Sequence, residues 1–325
     1  MKALICSELS ADLSQLHFEN VELPEPGKGM VKIRMRAAAA CFQDYLMAQG
    51  LYQLKPTLPF TPGVEGAGQI IAIGEGVDNV SVGDAVVAGL GFGAYAEEAI
   101  VPAANVRLKP EALSFSEGAA YMSSYLTAYV ALYRRARLQP GETLLVHGAA
   151  GGIGLAACDL GKMFGATVIA TASSKEKRDV LIARGVDHVL DVGKGFREQV
   201  KDLTGGQGAD VIYDPVGGDV FNESCRCIAF DGRLLIMGFT SGEHAKIATN
   251  YALIKGFSVM GVRAGEYGRR FPGRGVENIA WVDKMAATGK IKPYIGATFP
   301  LEQVQDAITT VYERKAIGKI IVTIP

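Results

Sequence analysis

The sequence predicts a mixed α/β protein in which a β-rich unit leads and a parallel sheet flanked by helices follows. Three observations carry this. The first 115 or so residues hold strand-like pieces punctuated by Gly and Pro. From residue 143 the pattern changes to strands alternating with helices. Between the two textures a buried strand runs into a glycine-rich turn and then a helix, at "LLVHGAAGGIGLAAC".

Taken in order, the strand pieces of the leading part are 31–38, 68–74, 84–89 and 94–102, with turns at "PEPGKG", "PFTPG" and "GEGVDN". Short strands without intervening helices indicate a barrel or sandwich-like unit. A helix is expected from near Ser116, where apolar residues recur at helical spacing and the C-terminal end is basic. Strands then follow at 143–147, 167–172, 187–191, 209–214 and 232–238, with helices between them. This pitch implies βαβ units and a parallel sheet. A strand at 257–262, a helix around 275–288, an amphipathic helix over 301–315 and a last strand at 319–324 complete the chain.

Composition excludes several classes of function. The chain has 325 residues, 49% hydrophobic and 21% charged, as expected of about two globular domains. A formal net charge of −1 gives no electrostatic case for nucleic acid or an anionic membrane. No apolar run reaches the roughly 18 residues that span a bilayer, and Glu8 and Asp12 interrupt the start too early for a signal-peptide core. A cytoplasmic location is expected. Five scattered cysteines make no disulfide framework, and Cys225 and Cys227 read as packing residues.

The glycine-rich turn is the strongest local signal. Backbone N–H groups and a helix N-terminus in such a turn approach a pyrophosphate closely. Ala150, Gly151, Gly152, Ile153 and Gly154 are its expected contacts, with Gly154 letting the helix pack on the sheet, and Gly238 is a further expected cofactor-binding residue. NAD-binding units place an acid about 20 residues on, at the end of the second strand. Here that point reads Ala172-Ser173-Ser174-Lys175-Glu176-Lys177-Arg178, without the acid. Lys177 or Arg178 with Ser173, and Ser174 beside it, would accept a 2′-phosphate, which favours NADPH over NADH. Ser173 with Glu176 also has the spacing of a capping box, and the two roles are compatible.

At this point the residues resemble a known family. "GVEGAGQIIAIGEGV", "SVGDAVV", "GAYAEEAIVPA", "HGAAGGIGLAA", "GADVIYDPVGG" and "GKIIV" are similar to the medium-chain dehydrogenases/reductases, and within them to the quinone oxidoreductase (zeta-crystallin-like) group. The resemblance covers essentially the whole chain. It implies an α/β protein with a Rossmann parallel-sheet domain and a GroES-like β-rich catalytic domain. The expected divisions are 1–122 and 263–325 for the catalytic domain and 123–262 for the nucleotide domain. It also implies a homodimer, with sheets commonly paired through the strand at 257–262.

The wider superfamily includes zinc alcohol dehydrogenases, which makes "AACFQDY" at 39–45 a test of the chemistry. A catalytic zinc there takes Cys, His and Cys. Aligned with those enzymes, Cys41 holds the first position, but Val64 stands at the histidine and Ser123 at the second cysteine. Valine cannot coordinate and a serine hydroxyl is a poor substitute for a thiolate. The cysteines of the structural-zinc loop are missing too, so no metal is expected. The quinone oxidoreductase group usually has asparagine at Cys41, which leaves that residue either a pocket lining or a modifiable thiol.

Without metal, the cofactor supplies hydride and the protein must stabilise charge on the acceptor oxygen. Tyr52, Thr127 and Tyr45 stand at family-matching positions for that hydrogen bond, and Asp44 could orient one of them. Arg263, with Arg269, Arg270 and Arg274 following, would suit an anionic part of the substrate, although such a charge run also reads as solvated surface. The expected acceptor is a quinone or enone, or alternatively an enoyl-CoA thioester. A non-catalytic NADPH-binding protein is the reading from a different class.

Overall fold

The computed structural model describes all residues, 1–325. In chain order the strands and helices are β1 (Lys2–Cys6), β2 (Leu16–Asn20), β3 (Met30–Ala40), α1 (Phe42–Ala48), β4 (Glu65–Ile73), β5 (Ala85–Gly89), β6 (Glu98–Pro102), β7 (Val106–Leu108) and α2 (Phe115–Tyr129). There follow β8 (Thr143–Val146), α3 (Gly152–Met163), β9 (Thr167–Ala172), α4 (Lys175–Ala183), β10 (His188–Asp191), α5 (Arg197–Leu203), β11 (Ala209–Asp214), α6 (Gly218–Cys227) and β12 (Ile228–Ile236). The chain ends with α7 (Thr249–Lys255), β13 (Ser258–Gly261), α8 (Ala264–Arg270), α9 (Pro272–Ala287), β14 (Ile295–Pro300), α10 (Val304–Tyr312) and β15 (Lys319–Thr323).

These elements form two compact units, one of Met1–Met122 with Asp283–Pro325 and one of Ser123–Val282. In the first, a seven-stranded sheet runs β14-β15-β3-β4-β5-β7 with β6 also on β3, and β1 pairs with β2 separately. Strand β3 organises it. Its length lets β6, β4 and β15 all pair antiparallel with it, the last through Ile320↔Ala40 to Thr323↔Ala37. Ala37, Ala38, Ala39 and Ala40 are all buried, and their small side chains let the surrounding layers approach.

The second unit is a parallel sheet of order β10-β9-β8-β11-β12-β13. That order reverses direction after β8, as in doubly wound nucleotide-binding sheets. Leu144, Leu145 and Val146 of β8 are fully buried, as a central strand covered on both faces requires. Three aromatic rings help hold α2, α3 and α9 together here: Tyr129 stacks on Trp281 at 4.4 Å, and Phe164 lies 5.9 Å from that tryptophan. Arg134 donates to Asn278 Oδ1 at 2.8 Å and pairs with Glu277 at 2.6 Å. These contacts tie residues 263–282 to the sheet unit, so the compact units divide at 282/283 and not at the 262/263 that the family resemblance implies. No helix is long and apolar enough to cross a membrane.

The leading unit also holds a helix that the strand-like texture conceals. Helix α1 starts because Asp44, at its third position, accepts the backbone N–H of Cys41 at 2.9 Å, half of a capping box. The capping serine of α4 is Ser174, not Ser173: the Ser174 Oγ accepts from the Lys177 N–H at 3.3 Å. The one-residue shift follows from β9 continuing to Ala172, which leaves Ser173 as the exposed link.

Candidate active site

In the sheet unit, the loops at the carboxyl ends of the parallel strands converge on one edge. After β8 the chain turns through Gly148, whose φ of 54° is left-handed and suits glycine. The Gly151 N–H closes this turn onto Gly148 O at 3.0 Å, and α3 begins at Gly152. Ala149 and Ala150 are buried under the turn. A Cβ on Gly154 would lie 2.4 Å from Gly148 O and 2.7 Å from Ala149 Cα, so only glycine lets α3 approach this closely. The first-turn N–H groups of α3, those of Gly152, Ile153 and Gly154, therefore face the edge of the sheet with the helix dipole behind them.

His147 is fixed beneath this turn. The ring lies 2.9 Å from Thr171 Oγ1 at Nδ1 and 2.9 Å from Ser224 Oγ at Nε2. Ser224 already donates to Val220 O at 2.7 Å, so it accepts from Nε2–H, which assigns the tautomer and leaves Nδ1 to accept from Thr171. Complete burial pushes the imidazole down to about 3, so it stays neutral and pins β8, β9 and α6 together.

The loops after β11 and β12 meet beside the turn. Asp214 is buried, and its Oδ1 accepts from the N–H groups of Val216 at 2.8 Å and Gly217 at 3.0 Å. Thr240 and Ser241 N–H groups donate to Pro215 O and Val216 O, and Gly238 lies in this loop, where a Cβ would stand 3.5 Å from Pro215 O. After β9, Lys177 is half-buried, and burial pushes its ammonium down, a shift that an anion beside it would oppose. Arg178 pairs with Asp191 of β10 at 3.1 Å. Ala150, Gly151, Gly152, Ile153, Gly154, Ser173, Ser174, Lys177 and Gly238 thus all sit on this edge.

The leading unit contains a second cluster. Asp44 is fully buried; its Oδ2 accepts from Tyr95 OH at 2.6 Å and Cys41 N–H at 2.9 Å, and its Oδ1 accepts from Gly63 N–H at 3.1 Å. Burial pushes its carboxyl up to about 6, against the hydrogen bonds that pull it down. Next to it, Lys319 donates to Glu65 Oε1 at 2.8 Å and reaches Cys41 Sγ at 3.3 Å, while Cys41 Sγ is 3.6 Å from Glu65 Oε1. All three side chains are buried. Burial acts to lower the Lys319 pKa, but the adjacent Cys41 and Glu65 more than offset it, so Lys319 is raised, which favours the ammonium at rest. Burial raises the Cys41 thiol, and Lys319 only partly opposes it.

The structure brings Cys41 and Asp44 together with Lys319, Glu65 and Tyr95, three residues to which the sequence motifs assign no role. The signal for Lys319 was a charged residue opening the apolar strand "KIIVTI". Val64, at the former histidine position, packs against the hydrophobic core of its unit. No group of three or more His, Cys, Asp or Glu side chains is arranged to hold a metal ion. Tyr45 is stacked on Tyr312 at 3.7 Å with its hydroxyl donating to Ala11 O, which occupies it structurally. Tyr52 is half-buried against the core of the leading unit, and Thr127 is half-buried on α2 in the sheet unit. Arg263 is exposed at the start of α8. Arg269 and Arg270 both pair with Glu266 at 2.8 Å, which offsets the charge that would bind a phosphate-bearing substrate.

Comparison with known proteins places this geometry. Two family profiles match, described as "Alcohol dehydrogenase GroES-like domain" over residues 27–111 and "Zinc-binding dehydrogenase" over residues 152–281. The chain is 38% identical to the quinone oxidoreductase-like protein 2 homolog of Nematostella vectensis, across 99% of this chain and 88% of that protein. It is 37% identical to quinone oxidoreductase-like protein 2 of Mus musculus, across 99% of this chain and 92% of that protein. The crystal structure of Escherichia coli quinone oxidoreductase complexed with NADPH superposes with a TM-score of 0.90 at 27% identity, covering 99% of this chain and all of that one.

Proposed function

Because the chain belongs to the zinc-independent quinone oxidoreductase family of medium-chain dehydrogenases/reductases, we propose that it is an NADPH-dependent reductase of quinones or α,β-unsaturated carbonyl compounds. The observation that carries this reading is the carboxyl edge of the parallel sheet. There, a glycine turn too tight for a side chain at Gly154 adjoins a strand end bearing Ser173, Ser174 and Lys177 in place of an acid. The NADPH held by the similar Escherichia coli structure supports the same cofactor here.

When bound, NADPH supplies a hydride to an electrophilic carbon of the acceptor. The N–H groups of Gly152, Ile153 and Gly154 would hold the pyrophosphate, and Lys177 with the serines would hold the 2′-phosphate. A hydroxyl donor to the acceptor oxygen is required as charge grows on it, and Tyr52 is the candidate the leading unit offers. Asp44 has its carboxylate filled by three internal donors, so it acts by positioning. It fixes the start of α1, with Cys41 just before it, and the Gly63 loop next to Val64.

Spectrophotometric assays with NADPH and phenanthrenequinone, an alkenal or crotonyl-CoA test the reading. Turnover of the quinone or alkenal is expected. Tight NADPH binding without turnover of any acceptor would leave a binding protein and overturn the enzymatic reading. In the same assay Lys177→Ala should raise the KM for NADPH about 10- to 100-fold, the worth of one charge-assisted hydrogen bond. The KM for NADH should barely move, and equal losses for both would rule out the phosphate contact.

The proposed active form is a homodimer. Strand β13 is an unpaired edge of the six-stranded sheet, and Phe230, Leu253 and Ile254 near it are 80%, 82% and 74% exposed. An uncovered strand edge flanked by apolar side chains invites pairing with a second copy. Sedimentation velocity should show the dimer at micromolar protein; a monomer there would exclude it.

A further inference from the structure

The Cys41–Glu65–Lys319 cluster has a geometry that the reductase reaction does not use. Strand register creates it: Ile320 pairs with Ala40 across the β15–β3 ladder, so the next residues, Lys319 and Cys41, stand directly opposite each other. Glu65 stands on the other side, because Gly66 of β4 pairs with Ala38 of β3. The sulfur and the lysine nitrogen are 3.3 Å apart, and the glutamate holds that nitrogen from 2.8 Å. The backbone therefore fixes a soft nucleophile, an amine and a base in mutual contact and out of bulk water.

We propose that Cys41 and Lys319 form a covalent tie when the protein meets a peroxide. Glu65, toward which the thiol is directed at 3.6 Å, takes the sulfur's proton, and the Lys319 ammonium stabilises the thiolate that results. The thiolate attacks hydrogen peroxide, an S–O bond forming as the O–O bond breaks, and the departing hydroxide takes back the proton held by Glu65; sulfur is oxidised to the sulfenic acid, peroxide is reduced to water and Glu65 is a base again. Lys319, its proton passed on through Glu65, then attacks the sulfenyl sulfur. An S–N bond forms, the S–O bond breaks and a second water leaves. The sum is one thiol, one ammonium and one peroxide giving one sulfenamide, two waters and one proton. The product joins the last strand to the end of β3. Two equivalents of a thiol reductant reverse it, returning thiol and amine as the reductant becomes a disulfide.

The four remaining cysteines are internal controls. Cys6, Cys158, Cys225 and Cys227 are also buried and free, and Cys6 donates to Glu8 O instead of meeting an amine.

Peptide mapping by mass spectrometry of the full chain after hydrogen peroxide, with free thiols alkylated, tests the proposal. The expected result is a joined pair of peptides carrying Cys41 and Lys319, lighter than their sum by two hydrogens and released by dithiothreitol. A joined pair that also retains one oxygen reports a second peroxide equivalent, with a third water released, and supports the same tie. Cys41 recovered as the free thiol or as a sulfinic acid, with Lys319 unlinked, would overturn it. Lys319→Arg, which keeps the charge but removes the nucleophilic amine, should abolish the joined pair. The mapping of the unaltered protein stands without that variant if it folds poorly.

Discussion

Replacing Lys319 by Met is expected to lower the stability of the protein by about 3–5 kcal/mol, the cost of removing one partner of a buried ion pair. Lys319 and Glu65 are 8% and 7% exposed and their charged groups are 2.8 Å apart, so water screens the pair little. Without Lys319 the glutamate keeps its desolvation cost and loses the opposite charge that offset it. The double replacement Lys319→Met with Glu65→Leu should recover most of the loss, because an apolar pair of similar volume leaves no buried charge. Urea denaturation measures both. A loss below about 1 kcal/mol for the single variant would place the pair with ordinary surface ion pairs.

Gly154→Ala is expected to weaken NADPH binding more than tenfold and to cost about 1–3 kcal/mol in stability, as overpacking does. The new Cβ would press on Gly148 O at 2.4 Å and Ala149 Cα at 2.7 Å, which are backbone atoms of the turn itself. No rotamer change relieves such a clash, so α3 or the turn must shift, and the N–H groups aimed at the pyrophosphate shift with it. Gly151→Ala is the matched control. Its Cβ would stand 3.4 Å from Gly148 O, a tolerable contact, so it should leave the fold nearly unchanged. Fluorescence titration with NADPH and thermal melts separate the two effects. Normal binding by Gly154→Ala would show that the turn is not the cradle.

The sheet unit was legible because its signals are local. Strand β9 falls at 167–172 as the apolar run indicates, and α3 follows the glycine turn directly. The leading unit was less legible. Helix α1 has only seven residues, too few for periodicity to declare, and depends on one carboxylate capping it. The charged pair was harder still. Lysine and glutamate read as surface residues from sequence, and only the β3–β4–β15 register reveals that Glu65 and Lys319 face each other inside. Ser174, the actual cap of α4, was displaced by one position because the end of β9 sets it, and strand ends are poorly marked by composition.

The pairing of Lys319 with residues 41 and 65 spans 278 and 254 positions of sequence. It has a consequence for the order in which the molecule can be made. On the ribosome, β3 emerges early and cannot receive β15 until the whole nucleotide-binding unit has been synthesised. Until then residues 37–40 present an open strand edge, and Glu65 waits without its ammonium partner. The inserted unit, whose parallel strands are contiguous in the chain, can complete itself first. Arrival of β15 then closes the sheet and neutralises the buried charge in one step, making that strand the latch of the unit that β3 organises.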